Sequence, residues 1–271
     1  MVEERHNAIV DIARRVGRVT VEDLATRFHV TPQTIRKDLN DLCEMGLLQR
    51  THGGARVASG AHNVGYGDRQ AIARDAKQAI GRRAAAAIPN DSALLINIGT
   101  TTEEVAKALH RHTGLLVITN NINVANTLRP YPAIEVVIAS GVLRHADGGI
   151  VGDAAVEFIR RFKVDYAVIG ASAIDADGAL LDYDYREVSV SRAILENARH
   201  VMLVADGTKF DRTAPVRIGH LSDVDTFITD RLVDPAVAEI CRAAGVTVIE
   251  ACAGTANDQN EERKRKNESS I

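Results

Sequence analysis

Apolar side chains recur at the spacing of an α-helix three times in the N-terminal part of the chain. The predicted helices cover residues 3–16, a segment that begins at Thr20, and a segment that begins at Thr31. Their apolar stripes are Ile9, Ile12, Ala13 and Val16, then Leu24, Ala25 and Phe28, then Ile35, Leu39 and Leu42. Residues 47–51 and 55–58 follow as two short strands that turn at Gly53 and Gly54. Three helices and a hairpin predict a winged helix-turn-helix domain over residues 1–58.

The third helix carries polar side chains on the face opposite to its apolar stripe. Thr31 is a suitable N-cap for it, and Pro32 is a suitable first helical residue. Its polar face offers donors and acceptors that can reach base edges or phosphates. We therefore predict DNA contacts from Thr31, Gln33, Thr34, Arg36 and Lys37 on this helix and from Arg50, His52 and Arg56 on the hairpin. An ordinary capped surface helix and a plain hairpin are the alternatives for each segment alone, and their combination favours DNA binding.

Small and polar residues interrupt all periodicity from residue 59 to residue 69, which predicts a linker. An alanine-rich helix is expected from about Gln70 to Ala87. Beyond it, short apolar runs alternate with helical stretches, which is typical of a parallel sheet with crossover helices. The predicted strands are residues 93–96, 115–118, 134–139, 164–169, 201–205, 226–229 and 246–249. This pattern predicts a Rossmann-like α/β domain over residues 70–253 and a disordered tail over residues 254–271.

Composition limits the classes of protein to which the chain can belong. The net charge of -3 does not indicate a nucleic-acid binder, so any DNA-binding charge must be local. Three cysteines without paired spacing suggest neither a disulfide framework nor a zinc site. We find no apolar run of the ~20 residues that a membrane helix needs and no signal-peptide pattern. These features predict a cytoplasmic protein.

Phosphate-compatible residues follow several of the predicted strands. Ligands of open α/β sheets bind beyond the carboxyl ends of the strands, and glycine and hydroxyl groups at a helix N-terminus suit an anion. The predicted effector-binding residues are Gly99, Thr100, Thr101, Thr102, Asn120, Asn121, Arg144, Gly148, Gly149, Gly152 and Lys209. Simple helix capping explains the threonine loop alone at least as well, and the argument depends on the convergence of several loops. Nucleotide, dinucleotide, metalloprotease and hydrolase motifs are absent from the sequence, so we assign no cofactor, metal or catalytic residue.

Two groups of motifs resemble the DeoR family of bacterial transcription regulators. The first comprises residues 30–42 and the Arg-Thr-His-Gly-Gly-Ala segment at 50–55. The second comprises residues 99–101, 119–128, 147–152, 184–187, 194–197 and 209–210, and it is most similar to the family's glycerol-3-phosphate-responsive members. The resemblance implies a homo-oligomeric repressor, a dimer or tetramer, that leaves double-stranded operator DNA when glycerol 3-phosphate or a related phosphorylated metabolite binds. It also adds Glu187 to the effector-binding set, while Asn97, Ser140 and residues 211–219 depart from the family pattern.

The sensor domain of this family is similar to ribose-5-phosphate isomerase, which makes an enzyme the chief alternative. The enzyme's catalytic segment reads Asp-Gly-Ala-Asp-Glu-Ile-Asp, and the corresponding residues here are 169–175. Ile169 and Ser172 stand where two of the three aspartates would be, so groups needed for proton transfer are missing. We therefore expect a regulator rather than an enzyme. A second alternative is a DNA-binding protein whose α/β half serves only for oligomerisation.

Overall fold

The fold is known from a computed structural model, which describes residues 2–16, 18–51, 53–57, 63–210, 212–232 and 234–251. The N-terminal part contains α1 (Val2–Val16), β1 (Arg18–Thr20), α2 (Val21–Phe28), α3 (Pro32–Glu44), β2 (Leu48–Thr51) and β3 (Gly54–Val57). The three strands form an antiparallel sheet in the order β1-β3-β2. The predicted winged helix-turn-helix is confirmed, and β1 adds a third strand to its hairpin.

Local capping explains where the second and third helices begin. The hydroxyl of Thr20 accepts a hydrogen bond from the backbone N–H of Asp23 (3.1 Å) and donates to the Asp23 carboxylate (2.7 Å). Thr31 accepts from the N–H of Thr34 at 3.2 Å, and Pro32 follows it as the first helical residue. The predicted apolar residues whose side chains are described then meet in one core, whose most deeply buried members are Ile9, Leu24, Ile35, Leu39 and Leu42.

The predicted alanine-rich helix is two helices, α4 (Tyr66–Ala71) and α5 (Arg74–Ala86). The expectation of a single helix from about Gln70 was wrong, and residues 66–69, assigned to the linker, are helical. Chain direction changes at Ile72 and at Ala73, whose φ of 51° lies in the left-handed region. The buried amine of Lys77 donates to the carbonyls of Arg69 and Ile72 and satisfies backbone groups at this break. Residue 58 of the predicted winged domain, residues 59–62 of the predicted linker and the predicted disordered tail lie outside the described residues.

The second half of the chain is an α/β unit with a seven-stranded parallel sheet. Its elements are β4 (Ala93–Ile96), α6 (Thr100–Ala108), β5 (Leu115–Thr119), α7 (Ile122–Leu128), β6 (Ile134–Ile138), β7 (Val142–Arg144), β8 (Gly149–Val151), α8 (Asp153–Ile159), β9 (Val164–Ile169), β10 (Ala173–Ile174), β11 (Ala179–Asp182), α9 (Tyr185–Glu196), β12 (Ala198–Val204), β13 (Val216–His220), β14 (Thr226–Thr229), α10 (Pro235–Ala244) and β15 (Thr247–Glu250). The strand order of the large sheet is β15-β14-β12-β9-β4-β5-β6. All seven predicted strands belong to this sheet, so the α/β class is confirmed.

Helices cover both faces of this sheet. Helices α5, α6 and α7 pack on one face over Leu94, Ile96 and Val117. Helices α8, α9 and α10 pack on the other face, which includes Leu95 and Phe227. The chain runs outward from β4 to β6 and returns to the opposite side of β4 with β9, so the order of connections reverses between β4 and β9. Such a reversal leaves a gap at the carboxyl ends of the two strands, where ligands of this fold class bind.

Two small antiparallel sheets were not predicted. They pair β7 with β8, and β10 with β11 and β13. These strands have two to five residues each and read as loops in the sequence, because their pairing depends on residues distant along the chain. No helix in the described ranges is long and apolar enough to cross a membrane.

Candidate functional site

Helix α3 presents the side chains predicted to contact DNA on its exposed face. Gln33, Arg36 and Lys37 are exposed, whereas Ile35 between them is fully buried. In the described part of the chain, neither Arg36 nor Lys37 forms an ion pair or side-chain hydrogen bond. Their charges are therefore available to an external anion. Acidic residues occupy the later part of the same face, at Asp41 and Glu44, so the first turns of the helix are the part suited to DNA.

The back of helix α3 is fixed to helix α1 by a buried carboxylate. Asp38 accepts hydrogen bonds from Arg5 Nε at 2.6 Å and Arg5 Nη2 at 2.9 Å, and it lies 3.1 Å from His6 Nε2. Burial alone would raise the pKa of Asp38, but its hydrogen bonds with Arg5 and His6 hold that pKa below the usual value. This ion pair fixes the orientation of α3 relative to α1, and sequence analysis did not single out Asp38 or Arg5.

The other predicted DNA contacts are described to different extents. Thr31 and Thr34 lie at the start of α3, where their hydroxyls are 2.9 Å apart. Arg50 is exposed on β2. Arg56 belongs to β3, but its side chain and the whole of His52 lie outside the described residues. The structure thus brings the helix residues together on one face of α3. Arg50 extends that surface onto the hairpin of β2 and β3.

A crevice opens at the carboxyl edge of the large sheet, at the reversal between β4 and β9. Its enclosed space is about 30 Å³, and the open mouth brings the volume to about 400 Å³. Six of the predicted effector residues line it: Gly99, Thr100, Thr101, Thr102, Glu187 and Lys209. Arg69, Ser172 and Asp182, which were not in the predicted set, line it as well. Of the strand ends that were expected to converge, those of β4 and β12 line the crevice and those of β5 and β6 do not. Residues after β9, which were not predicted, line it as well.

The loop after β4 leads into the N-terminus of helix α6. Gly99 precedes the helix with φ 151°, a conformation that a residue with a side chain rarely adopts. Thr102 donates its hydroxyl back to the carbonyls of Asn97 and Gly99 at 2.8 Å each and so stabilises the loop. In contrast, Thr101 is a buried residue whose hydroxyl has no hydrogen-bond partner among the described residues. The first backbone N–H groups of α6 and this hydroxyl together form a donor set for an anion.

Two cationic side chains line the same crevice. The amine of Lys209 is buried and forms no hydrogen bond or ion pair within the described ranges. Burial lowers its pKa to about 8, and the neighbouring Asp206 opposes that shift. Arg69 donates to Asp147 at 3.1 Å, while its buried Nε has no acceptor in the described part of the chain. A phosphate placed between these groups would supply the acceptors that they lack.

The opposite side of the crevice is acidic. Asp182 accepts hydrogen bonds from the hydroxyl of Ser172 at 3.1 Å and from the N–H of Tyr183 at 2.6 Å. Burial raises the pKa of Asp182. Burial and the neighbouring Asp182 raise the pKa of Glu187 to about 8, although Arg144 donates to Glu187 Oε2 at 2.5 Å. These acids therefore hold a proton more strongly than ordinary carboxylates do.

The other six predicted effector residues do not line the crevice, and several of them support its walls. Asn121 donates to Glu103 in the first turn of α6 at 3.1 Å, and the side-chain amide of Asn120 donates to the carbonyl of Ile150. Arg144 pairs with Asp147, Asp184 and Glu187. Gly148 and Gly149 lie beside the segment that contains the two asparagines, and Gly152 precedes α8. Direct contact of these six with an effector stays a prediction.

Helix α4 explains why sequence analysis missed Arg69. The hydroxyl of Tyr66 donates to Glu103 at 2.7 Å and accepts from Asn123 at 2.9 Å, which anchors α4 against α6 and α7. This contact brings Arg69 to the crevice from a segment that resembles a linker. Arg69 directly precedes the predicted alanine-rich helix. That position is a local signal that could have indicated an ordered arginine.

Asn97, which departs from the family pattern, holds the loop after β4 in place and does not line the crevice. Asn97 is buried, donates to the hydroxyl of Ser191 at 2.8 Å, and accepts from the N–H of Ile98 at 2.8 Å. Ser191 in turn donates to the carbonyl of Glu187 at 3.0 Å, so Asn97 connects the threonine loop to the acidic wall. At the two positions where the isomerase segment has aspartates, Ile169 is fully buried in β9 and Ser172 lines the crevice.

Several solved structures are weakly similar to the chain. A ribose 5-phosphate isomerase from Methanocaldococcus jannaschii is 14% identical, with a TM-score of 0.39 over 51% of this chain and 55% of that one. No conclusion rests on a likeness of that size.

Sequence comparisons are much stronger. The chain is 48% identical to the glycerol-3-phosphate regulon repressor of Escherichia coli over 84% of this chain and 90% of that protein. It is also 48% identical to the repressor of the same name from Haemophilus influenzae, over 83% and 88%. The model of a DeoR-like helix-turn-helix domain matches residues 5–61, and that of the DeoR C-terminal sensor domain matches residues 72–231. The chain is therefore a transcriptional regulator rather than an enzyme, and it belongs to the DeoR family.

Proposed function

We propose that the protein represses genes of glycerol and glycerol-3-phosphate metabolism and leaves its operator when glycerol 3-phosphate, or a closely related phosphorylated metabolite, binds the crevice. The observation that carries the proposal is the meeting of the α6 N-terminus with Lys209 and Arg69 in one buried site. Similarity to repressors of the glycerol-3-phosphate regulon supports the choice of effector. Since operator DNA lies in the cytoplasm of a bacterium, the protein acts there.

The phosphate occupies the basic part of the crevice in this proposal. The N–H groups of Thr100, Thr101 and Thr102 and the unpartnered hydroxyl of Thr101 donate to its oxygens. Lys209 and Arg69 supply positive charge that is weakly screened because both side chains are largely buried. No metal or cofactor is needed for this binding mode.

One contact connects the sensor domain to the recognition helix. Arg212 is buried and donates from Nη2 to the carbonyl of Met45, the C-cap of α3, at 2.9 Å. Gly46 follows, and Val64 of the linker packs so closely that a side chain at Gly46 would overlap it. Arg212 is also close enough to Lys209 to lower the pKa of its amine. We infer that an anion in the crevice attracts Arg212, weakens its bond to Met45 and changes the orientation of the DNA-binding domain.

Release from DNA tests the proposal directly. Operator sequences are selected from a random DNA pool with the full-length protein, and release is followed by fluorescence anisotropy as glycerol 3-phosphate is added. Thr100→Ala with Thr101→Ala removes the Thr101 hydroxyl donor and the Thr100 hydroxyl, which donates to the Arg69 carbonyl at 3.4 Å, so half-maximal release should need about tenfold more ligand. Thr113→Ala, which changes an exposed threonine outside the crevice, is the matched control. Unchanged release of the double variant would show that the phosphate does not bind at this loop.

We also propose that the protein acts as a homo-oligomer, a dimer or tetramer, because two DNA-binding domains on a repeated site combine their affinities. Three large apolar side chains support a pairing surface on the α/β domain. Ile138, Val142 and Leu143 are exposed at the edge strand β6 and the adjoining β7. Light scattering at micromolar concentration should give at least a dimer, and Val142→Glu should dissociate it while Ala87→Glu, on an exposed helix end, does not. A monomeric parent protein would contradict this proposal.

A further inference from the structure

Residues 63–65, the described part of the linker before α4, contact both functional parts of the chain. Asn63 Nδ2 donates to the hydroxyl of Ser172 at 3.4 Å, and Ser172 lines the crevice. The next residue, Val64, packs against Gly46, which directly follows the C-cap of α3. Consecutive Cα atoms lie about 3.8 Å apart, so a displacement of the Asn63 backbone also moves Val64 relative to Gly46.

The contact of Asn63 with the crevice is weak. Its bond to Ser172 is long, and Ser172 also donates to Asp182 at 3.1 Å. Asn63 Oδ1 is buried and has no hydrogen-bond partner among the described residues. A buried carbonyl oxygen without a donor costs free energy, which offsets part of what the bond to Ser172 contributes. Such a contact can be displaced by a molecule that competes for the same space.

The crevice is nearly closed while Asn63 lies against Ser172. Its enclosed space, about 30 Å³, has room for about one or two water molecules. Pockets that bury a small metabolite usually measure about 300 Å³ or more. An effector that is buried beside Ser172 therefore has to displace a neighbouring group. Asn63, with one long bond and one unpaired oxygen, is a group that costs little to move.

The other end of this segment supports the recognition helix. Gly46 has a φ of 70°, in the left-handed region, and a Cβ at this position would overlap Val64. The carbonyl of Met45, one residue earlier, accepts from Arg212. Val64 and Arg212 thus hold adjacent residues at the C-terminal end of α3, and the orientation of that helix depends on both contacts.

We propose that the linker competes with the effector for the crevice: Asn63 lies against Ser172 when the protein can bind operator, and a bound effector displaces it. This inference rests on the proposed function and specifies how binding reaches the recognition helix. Displacement of Asn63 withdraws Val64 from Gly46, and the end of α3 loses the orientation that its two contacts maintain. Because the effector binds only the arrangement that Asn63 has left, it has the differential affinity that release from DNA requires.

Affinities for effector and operator test the competition in the full-length protein. Asn63→Ala removes the competing carboxamide, so glycerol 3-phosphate should bind about threefold more tightly in isothermal titration without DNA. Operator, measured by fluorescence anisotropy without effector, should bind about threefold more weakly. Damage to the fold would weaken both, so the opposite signs identify the competition. Asn90→Ala, on an exposed asparagine, is the matched control and should keep both parent affinities.

A fluorophore at the end of α3 gives a second readout. The sequence contains no tryptophan, and Met45 is 39% exposed, so Met45→Trp introduces a single indole beside Gly46. Its emission should change when glycerol 3-phosphate is added, and Asn63→Ala in the same chain should produce most of that change without effector. Val64→Ala, which breaks the other end of the connection, should do the same, and it provides the test if Asn63→Ala does not fold.

Three results would contradict the proposal at different points. Weaker or unchanged binding of glycerol 3-phosphate by Asn63→Ala would overturn the competition and leave the proposed function intact. Parent emission in Val64→Ala would overturn the connection between the linker and α3. Absence of glycerol 3-phosphate binding by the parent protein would overturn the proposed function itself.

Discussion

Lys209 is the residue whose charge state bears most directly on effector binding. Its amine has a pKa of about 8, so it is mainly protonated at pH 7 and mainly neutral at pH 9. Glu187, with a pKa of about 8, becomes an anion over the same range. Both changes disfavour an anionic ligand as the pH rises. We expect affinity for glycerol 3-phosphate to fall about tenfold from pH 7 to pH 9 as the lysine deprotonates.

Isothermal titration at several pH values measures this dependence. Lys209→Arg retains its charge throughout the range, so its affinity should decrease less steeply, with the remaining slope due to Glu187. If the parent and Lys209→Arg show the same steep decrease, the lysine does not carry the pH effect.

Arg36 and Arg50 occupy different parts of the DNA-binding surface and should respond differently to mutation. Arg36→Ala should relax sequence preference and cost about 1 to 3 kcal/mol on operator DNA if the guanidinium reads a guanine. Arg50→Ala should weaken binding to operator and random DNA alike and reduce the salt dependence. Anisotropy on both DNAs at two salt concentrations distinguishes these outcomes, with Arg82→Ala, exposed on α5, as control. Equal losses on both DNAs for Arg36→Ala would assign it to phosphate binding.

Helix α4 is the element that completes the crevice, since it positions Arg69. Tyr66→Phe removes the hydroxyl that connects α4 to Glu103 and Asn123. One lost hydrogen-bonded hydroxyl, at about 1 kcal/mol, should weaken effector binding about fivefold, while operator affinity without effector stays at the parent value. Tyr131→Phe, on a tyrosine with no hydroxyl hydrogen bond among the described residues, is the matched control. A loss of operator affinity in Tyr66→Phe would indicate a general folding defect instead.

Helices and strands were predicted correctly where neighbouring residues determine them. They were missed where contacts between distant parts of the chain determine them. Thr31 and Pro32 begin α3 through bonds within one turn, so the start of that helix follows from neighbouring residues. The break between α4 and α5 depends on Lys77, whose amine satisfies carbonyls of the preceding helix, and on Tyr66 packing against α6. Neither contact leaves a periodic pattern in the sequence.

The proposed function requires effector binding to change DNA binding across the whole molecule, and Arg212 is the residue that we expect to transmit the change. Arg212→Met removes the hydrogen bond to Met45 together with the charge near Lys209. This variant should still bind glycerol 3-phosphate, but its affinity for operator should respond much less to the ligand. By linkage, the affinity for glycerol 3-phosphate should also become independent of bound operator.

Titration of glycerol 3-phosphate with and without operator DNA measures this coupling. Arg217→Met, which removes an exposed arginine from the nearby strand β13, should keep the parent coupling. Full coupling in Arg212→Met would exclude the Met45 contact as the route between the two sites.

The amino-acid sequence by itself determined the winged helix-turn-helix, the exposed face of α3, the seven parallel strands and the phosphate-compatible loop before α6. Each of these depends on periodicity or on a cap within a few residues, which short-range sterics and burial impose. Only the tertiary structure decided that Arg69 joins the crevice, that Asn121 and Arg144 support its walls, and that Asp182 and Glu187 form one acidic surface. These groupings arise from the packing of helices and strand ends that are far apart in the chain, so no local pattern encodes them.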